Sequence, residues 1–261
     1  MKPPLAYCGP TGVCDVTTPT LDHGFRIRGA SPTRVDAFVD AAFAFAVTLL
    51  VISIGHVPQS VSELVQALRG VPAFAASFYI LSRFWQAHRS WSRHYGIEDA
   101  YGVRLSLALV FLMLVYVYPL RMVAELTLAS FSGGWLVETP IVVKTVWDLR
   151  AIYVVFGIGY ALTSAIFVLL HRHALALADE LALTGAERVR TRTICRRWSG
   201  VVALSLLSVL LALTLPMGRG SALPCDAVPG LLYLMLIPMI RFVRKRERRE
   251  LGTLAAAEPA A

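Results

Sequence analysis

Six long apolar runs dominate this chain, and a run of that length has few folds open to it. A bilayer core asks for roughly 20 consecutive, mostly apolar residues in a helix, and five stretches meet that demand with at most one charge near either end: 37–55, 70–88, 103–122, 151–170 and 199–217. A sixth, 227–243, has no charge before Arg241 and is short, so it must snorkel that side chain or thin the bilayer locally. Inside lipid every backbone polar group has to be satisfied within the segment, which makes each run a helix. The expectation is an all-α integral membrane protein with six transmembrane helices. Composition agrees: of 261 residues 56% are hydrophobic and 16% charged, more apolar surface than a soluble core of this length needs. The stretch 123–150 is partly apolar but carries five charges, and is expected to be interfacial or re-entrant.

Charge sets the orientation. With the amino terminus inside, the cytoplasmic segments 1–36, 88–104, 171–198 and 241–261 hold 4, 3, 6 and 6 Lys plus Arg, which is 19 of the 25 in the chain. That asymmetry puts both termini in the cytoplasm, in the plasma membrane, and accounts for the net charge of +8. Arg83 is left inside the second span. The tail "RFVRKRERRE" reads as a topology anchor facing anionic lipid, not as a nucleic-acid site. Residues 1–33 lack the apolar run of a signal peptide and read as a flexible cytoplasmic extension, followed by a transmembrane domain over 34–243 and a basic tail over 244–261.

Enzyme signatures are missing: there is no G-x-S-x-G, phosphate loop, H-E-x-x-H or dinucleotide fingerprint. Cys8, Cys14 and Cys195 fall on the cytoplasmic side and Cys225 outside, so neither a disulfide framework nor a zinc site follows, and no metal or cofactor is expected. His171 and His173 flank Arg172 at a helix end and read as a polar cap.

The informative stretch is "RVDAFVDAAFAFAVTLLVISI", residues 34–54, where an Arg and two Asp stand at the mouth of an otherwise apolar helix. Arg34 and Asp40 are about 240° apart around that helix, so they cannot pair along one face. Charged groups at this depth are rarely left unpaired. Trp85 and His88, at the inner end of the second span, are the candidate partners of Asp40, with Asp99 and Arg104 nearby at the start of the third. Further along, Phe45, Leu49 and Ile52 fall at i, i+4 and i+7, one stripe over about 10 Å of axis. Thr48 has the usual option of bonding the Ala44 carbonyl one turn back.

Two patterns together carry a resemblance: R-x-x-x-F-x-D at Arg34, Phe38 and Asp40, leading into "AAFAFAVTLLV", and "FWQAHRSW" with Trp85 and His88. The chain resembles the bacterial branch of the transmembrane protein 175 family of potassium channels over roughly 34–122. The resemblance implies six helices per subunit and a homotetramer whose four first helices line a central pore. It implies that large apolar side chains on that helix, here Phe45, Leu49 and Ile52, form a constriction in place of a carbonyl filter, with Thr48 tied to selectivity. Arg34, Phe38, Asp40, Trp85 and His88 then form a structural lock on the pore helix. Val39 stands where the family has Ser, and Phe45 where Ile or Leu is usual. Potassium is the expected permeant ion. The rival readings are a non-conducting scaffold of the same fold and a secondary transporter. A transporter would show an inverted repeat or a broken helix, for which only "VFGIGY" at 155–160 is a candidate.

Overall fold

A computed structural model describes residues 21–22, 24–53, 58–133, 135, 137, 141, 143–216 and 228–257, without the side chains of 255–257. Residues 1–20 of the extension, Cys8, Cys14 and Cys225, the ends of the first and fifth spans and residues 258–261 lie outside the described set. A small antiparallel hairpin, β1 (Leu21–Asp22) with β2 (Phe25–Arg26), precedes the helices α1 (Arg34–Ile52), α2 (Val61–Arg69), α3 (Val71–Tyr95), α4 (Ala100–Ser132), α5 (Val146–Ala176), α6 (Gly185–Thr214), α7 (Val228–Leu231) and α8 (Leu236–Ala257), with a 3₁₀ turn over Leu232–Met235.

Local chemistry explains where the helices begin. Thr33 and Asp36, Thr145 and Asp148, and Thr184 and Glu187 each form a capping box, in which the Thr hydroxyl accepts from an amide of the first turn and the acid accepts from the Thr amide. Asp99 caps α4 by accepting from the Gly102 amide at 2.7 Å. Gly70, with Pro72 just inside α3, separates α2 from α3 at a bend of 41°.

Among the described residues four helices, α1, α4, α5 and α6, are long and apolar enough to cross a membrane, and the bent pair α2–α3 makes a fifth if taken as one span. The segment expected to be the sixth span is built differently: α7, the 3₁₀ turn and α8 follow one another, and α8 runs from Leu236 to Ala257 through the basic tail. The expected boundary at 243/244 therefore falls inside a helix. Another expectation changes at the end of the third span. Residues 123–132 continue α4 as regular helix past Pro119, where an interfacial or re-entrant segment was expected. At 33 residues and 1.5 Å per residue α4 is about 50 Å long, well beyond a hydrocarbon core of about 30 Å.

α5 and α6 form the most intimate helix pair, and the glycines of "VFGIGY" explain it. A Cβ on Gly157 would strike Val209 of α6, and one on Gly159 would enter the ring of Tyr116 on α4. These glycines let three helices approach closely, as small residues do where lipid supplies no hydrophobic drive. They do not break the helix: α5 is continuous from Val146 to Ala176. Aromatic rings fill the space beside them, with Phe167 stacked on Trp198 at 4.5 Å and Phe84 on Phe167 at 6.0 Å.

The end of the amino-terminal extension is docked onto the helix ends, contrary to the expectation that all of 1–33 is flexible. Phe25 is buried and stacks on His94 at 4.4 Å. The Arg28 and Gly29 amides both donate to the Arg93 carbonyl at 3.0 Å. Arg28 is held by Glu187, with its Nη1–H to Oε1 at 3.0 Å and Nη2–H to Oε2 at 2.9 Å, a two-pronged pair of the strong kind. Glu187 is 2% exposed and also accepts from the Arg26 and Thr184 amides. Burial alone would raise its carboxyl, but these donors win and hold it down to about 2.

A carboxylate lowered in the folded state stabilises above its ordinary range and loses that contribution as the pH falls through the folded value. The stabilisation contributed by Glu187 should therefore be constant above about pH 4.5 and decline from there towards about 2. In Glu187→Gln the acid limb of an unfolding profile measured from about pH 6 to about pH 3 should flatten relative to the wild type. An unchanged slope would mean that other carboxylates set the acid limit.

Candidate functional site on the first helix

α1 buries one side and leaves the other bare. Val39, Phe43, Ala46 and Leu50 are buried against the subunit core, at spacings of 4, 3 and 4 residues. The opposite side carries Arg34, Phe38, Ala41, Phe45, Thr48 and Ile52, all exposed in the subunit, at spacings that alternate between 4 and 3. Phe38 is 53% exposed, Phe45 55% and Ile52 63%. A seam of that spacing is what one helix presents to others packed around a shared axis.

The stripe expected from the sequence is rotated slightly by this packing. Phe45 and Ile52 lie on the exposed seam, but Leu49, about 40° from Phe45 towards the buried side, is partly buried and packs against the core. Thr48, about 60° from Phe45 the other way, is exposed, and its hydroxyl donates to the Ala44 carbonyl at 3.1 Å. The reason is that α3 and α4 flank α1 on the Leu50 side and reach Leu49 as well.

Each end of α1 is tied to the subunit by polar groups. At the amino end the Trp85 Nε1–H donates to Asp40 Oδ1 at 2.7 Å, and the Arg89 guanidinium lies over the Trp85 ring at 5.4 Å. Of the two partners considered for Asp40, the indole is the one brought to it, and the contact is exposed where a buried pair was expected. His88 is placed elsewhere. It is buried and bonded to Ser106 of α4 at 3.0 Å. Since the Ser106 hydroxyl proton goes to the Gly102 carbonyl, His88 Nε2 must be the donor. Arg34 and Phe38 are exposed and find no partner inside the subunit among the described residues, so any locking by them acts on a neighbouring chain. Asp99 and Arg104 do not join this group: Asp99 pairs with His173, and Arg104 donates to the Ala100 carbonyl at 3.1 Å.

The carboxyl end is held by a charged side chain of α4 that no sequence motif singles out. Arg121 of α4 is 6% exposed. Its Nη1–H groups donate to the Leu50 carbonyl at 3.3 Å and to Ser53 Oγ at 3.0 Å, and its other side is paired with Glu125 at 2.6 and 2.8 Å. A cation here meets the negative end of the α1 dipole and shares the Leu50 carbonyl with the Ser53 hydroxyl, which donates to it at 2.6 Å. The spacing of Arg121 and Glu125, i and i+4 on one helix, was the available signal. Among the described residues no cluster of His, Cys, Asp and Glu is arranged to hold a metal.

Comparison with known proteins places this geometry. A family model described as "Endosomal/lysosomal potassium channel TMEM175" matches residues 34–119, beginning at the Arg of the R-x-x-x-F-x-D pattern. A curated protein of Marivirga tractuosa named "Potassium channel" is 28% identical over 237 residues, which is 88% of this chain and 94% of that protein. The crystal structure of the potassium channel MtTMEM175, a threonine-to-alanine variant bound to a nanobody–MBP fusion, aligns with a TM-score of 0.75 at 26% identity over 91% of this chain and 99% of that one. Together these matches support a bacterial member of the TMEM175 family. The TMEM175 match ends within α4 and so takes in α1, the bent pair α2–α3 and the part of α4 that faces α1. The likeness to MtTMEM175 extends it over nearly the whole chain.

Removing one partner of a buried ion pair is costlier than removing both. Arg121→Ala should lower stability by roughly 3–5 kcal/mol, read as a fall in melting temperature of the purified protein. The double change Arg121→Met with Glu125→Leu should recover most of the loss. A single variant as stable as the wild type would show that water already serves these groups.

Proposed function

We propose that the chain is one subunit of a homotetrameric potassium channel of the plasma membrane, with α1 of each subunit lining a central pore. The observation that carries this reading is the exposed seam of α1 in a helix otherwise packed into its subunit. The family and the relatives named as potassium channels give the seam its meaning. In this reading six helices cross the bilayer, with the α7–α8 segment as the last. Both termini lie in the cytoplasm, and the basic ends meet anionic lipid.

Potassium is preferred without a carbonyl filter and without a cofactor. Phe45 and Ile52 narrow the path as apolar rings that gate by losing or admitting water. Thr48 stands between them on the seam, its hydroxyl oriented by donation to the Ala44 carbonyl, and in this reading it shapes the width of the hole rather than binding the ion. Leu49 supports Phe45 from behind. Arg34 and Phe38 lock neighbouring subunits at the inner mouth, while Asp40 and Trp85 fix α1 within its own.

A transporter of the broken-helix type needs an unwound segment near the membrane midplane, and the continuity of α5 argues against it. Reconstitution into planar bilayers with potassium on one side and sodium on the other tests the proposal against the scaffold alternative. Unitary currents reversing towards the potassium potential are expected from a protein whose detergent-solubilised mass is that of four chains. A tetramer silent under all applied voltages would leave a scaffold, and a stable monomer would remove the central pore.

Phe45→Ala should widen the constriction, raising conductance and lowering potassium preference, with little loss of stability because the side chain is exposed within the subunit. Leu49→Ala should do the reverse, costing up to about 2–5 kcal/mol in stability and changing permeation less. Current amplitude and melting temperature measured on both variants separate the two faces. If Leu49→Ala changes the current more than Phe45→Ala, the seam has been put in the wrong rotation.

A further inference from the structure

One cation of the sequence has no part in the pore: Arg83, inside the second span. Its neighbour Phe84 stacks on Trp198 of α6, ring centroids 6.1 Å apart, which sets Arg83 at the level of Arg197. α8 runs antiparallel beside α6. A Cβ on Gly200 would strike Met239, and Arg196 pairs with Glu250 at 2.8 Å, so the two contacts bracket Arg244 beside Arg197. The cations acting on Arg197 are indeed Arg83 and Arg244, with Glu247 opposing them.

The three come from three helices, and among the described residues none of them forms a salt bridge, although Glu247 offsets part of the charge at Arg197. Arg83 bonds the neutral Gln86 at 2.9 Å. Glu250 is taken by Arg196 and Arg246. The Arg197 Nε–H is enclosed and meets no acceptor among the described residues. A buried donor without an acceptor is costly, and clustered guanidinium groups repel unless an anion is shared between them.

We propose that Arg83, Arg197 and Arg244 form a site for the phosphate of an anionic lipid, held where α3, α6 and α8 meet. Guanidinium forks match phosphate oxygens two at a time, and three of them from separate helices make a cage that one phosphate fills. Two features favour a lipid over a soluble anion. Arg197 and Arg244 stand at the inner boundaries of the expected fifth and sixth spans, within reach of lipid headgroups. Exposed Ile237, two turns from Arg244 on the same face of α8, offers apolar surface for an acyl chain. The cytoplasmic leaflet is also the anionic one. The inference rests on the inward placement of the basic helix ends and not on conduction, so it can fail while the channel reading stands.

The test uses the full-length protein in neutral phosphatidylcholine–detergent micelles, titrated with phosphatidylglycerol or with inorganic phosphate while the melting temperature is followed. Saturating phosphatidylglycerol should raise it by about 5 °C. In Arg197→Gln the midpoint of the titration should move up by roughly tenfold or more, the loss of one charge-assisted contact. Arg244→Gln, an exposed position where folding is not at stake, should do the same. The pair Arg248→Gln and Arg249→Gln, which removes two charges of the lipid-facing tail, should shift the midpoint much less than either site variant. Wild-type titration of both site variants would overturn the proposal, as would an equal loss in the tail pair, which would mark a diffuse attraction to the whole tail. Equal stabilisation by inorganic phosphate would overturn the assignment to lipid.

Discussion

The carbonyl end of α1 meets a guanidinium that is itself buried, and the orientation of the helix depends on that meeting. α1 has only 19 residues and shares its buried side with α3 and α4. Apolar side chains resist sliding weakly when lipid is as apolar as they are, so register has to come from polar contacts. Arg121 supplies one at the carboxyl end, at Leu50 and Ser53, and Trp85 supplies the other near the amino end, at Asp40. With both ends tied, rotation of α1 is fixed, and Phe45, Thr48 and Ile52 stay on the outside of the subunit.

The rest of the subunit serves as a frame for that helix. α5 and α6 are drawn together by glycine contacts and stacked aromatic rings, and α4 joins them through Tyr116, whose hydroxyl donates to the Phe156 carbonyl at 3.1 Å. Below them the Arg28–Glu187 pair ties the chain just before α1 to the start of α6. The same Glu187 completes the capping box of α6, so the entry to α1 and the first turn of α6 share one carboxylate.

The sequence showed the membrane class and most of the spans because a run of apolar residues is a local property. The motif at Arg34, Phe38 and Asp40 was equally local. What escaped reading were the contacts between distant segments. The hairpin of residues 21–26 is too short to show a period, and its anchor Glu187 is some 160 residues away. Leu49 falls with Phe45 and Ile52 by helical spacing, which leaves a helix free to turn by tens of degrees, and only the packing of the helix into its subunit removes that freedom. The continuation of α4 through 123–132 was hidden by its polar residues, since hydropathy measures contact with lipid and not helix formation. Arg121 and Glu125 were visible as charges but not as a pair, because nothing in the sequence says that α1 ends beside them.

The alternating spacing of the exposed seam also has a geometric meaning. A straight α-helix repeats every 3.6 residues, so a seam that repeats every 3.5 drifts around the cylinder and remains on a common axis only if the helices coil about it in the left-handed sense. Over 19 residues, about 28 Å, a superhelical pitch of about 140–210 Å turns each helix by roughly 50–70° around that axis. Arg34 at one end and Ile52 at the other would then lie above different neighbours. In the proposed tetramer a twist applied at the amino end of α1 would reach Ile52 as rotation, in the manner of a camera iris.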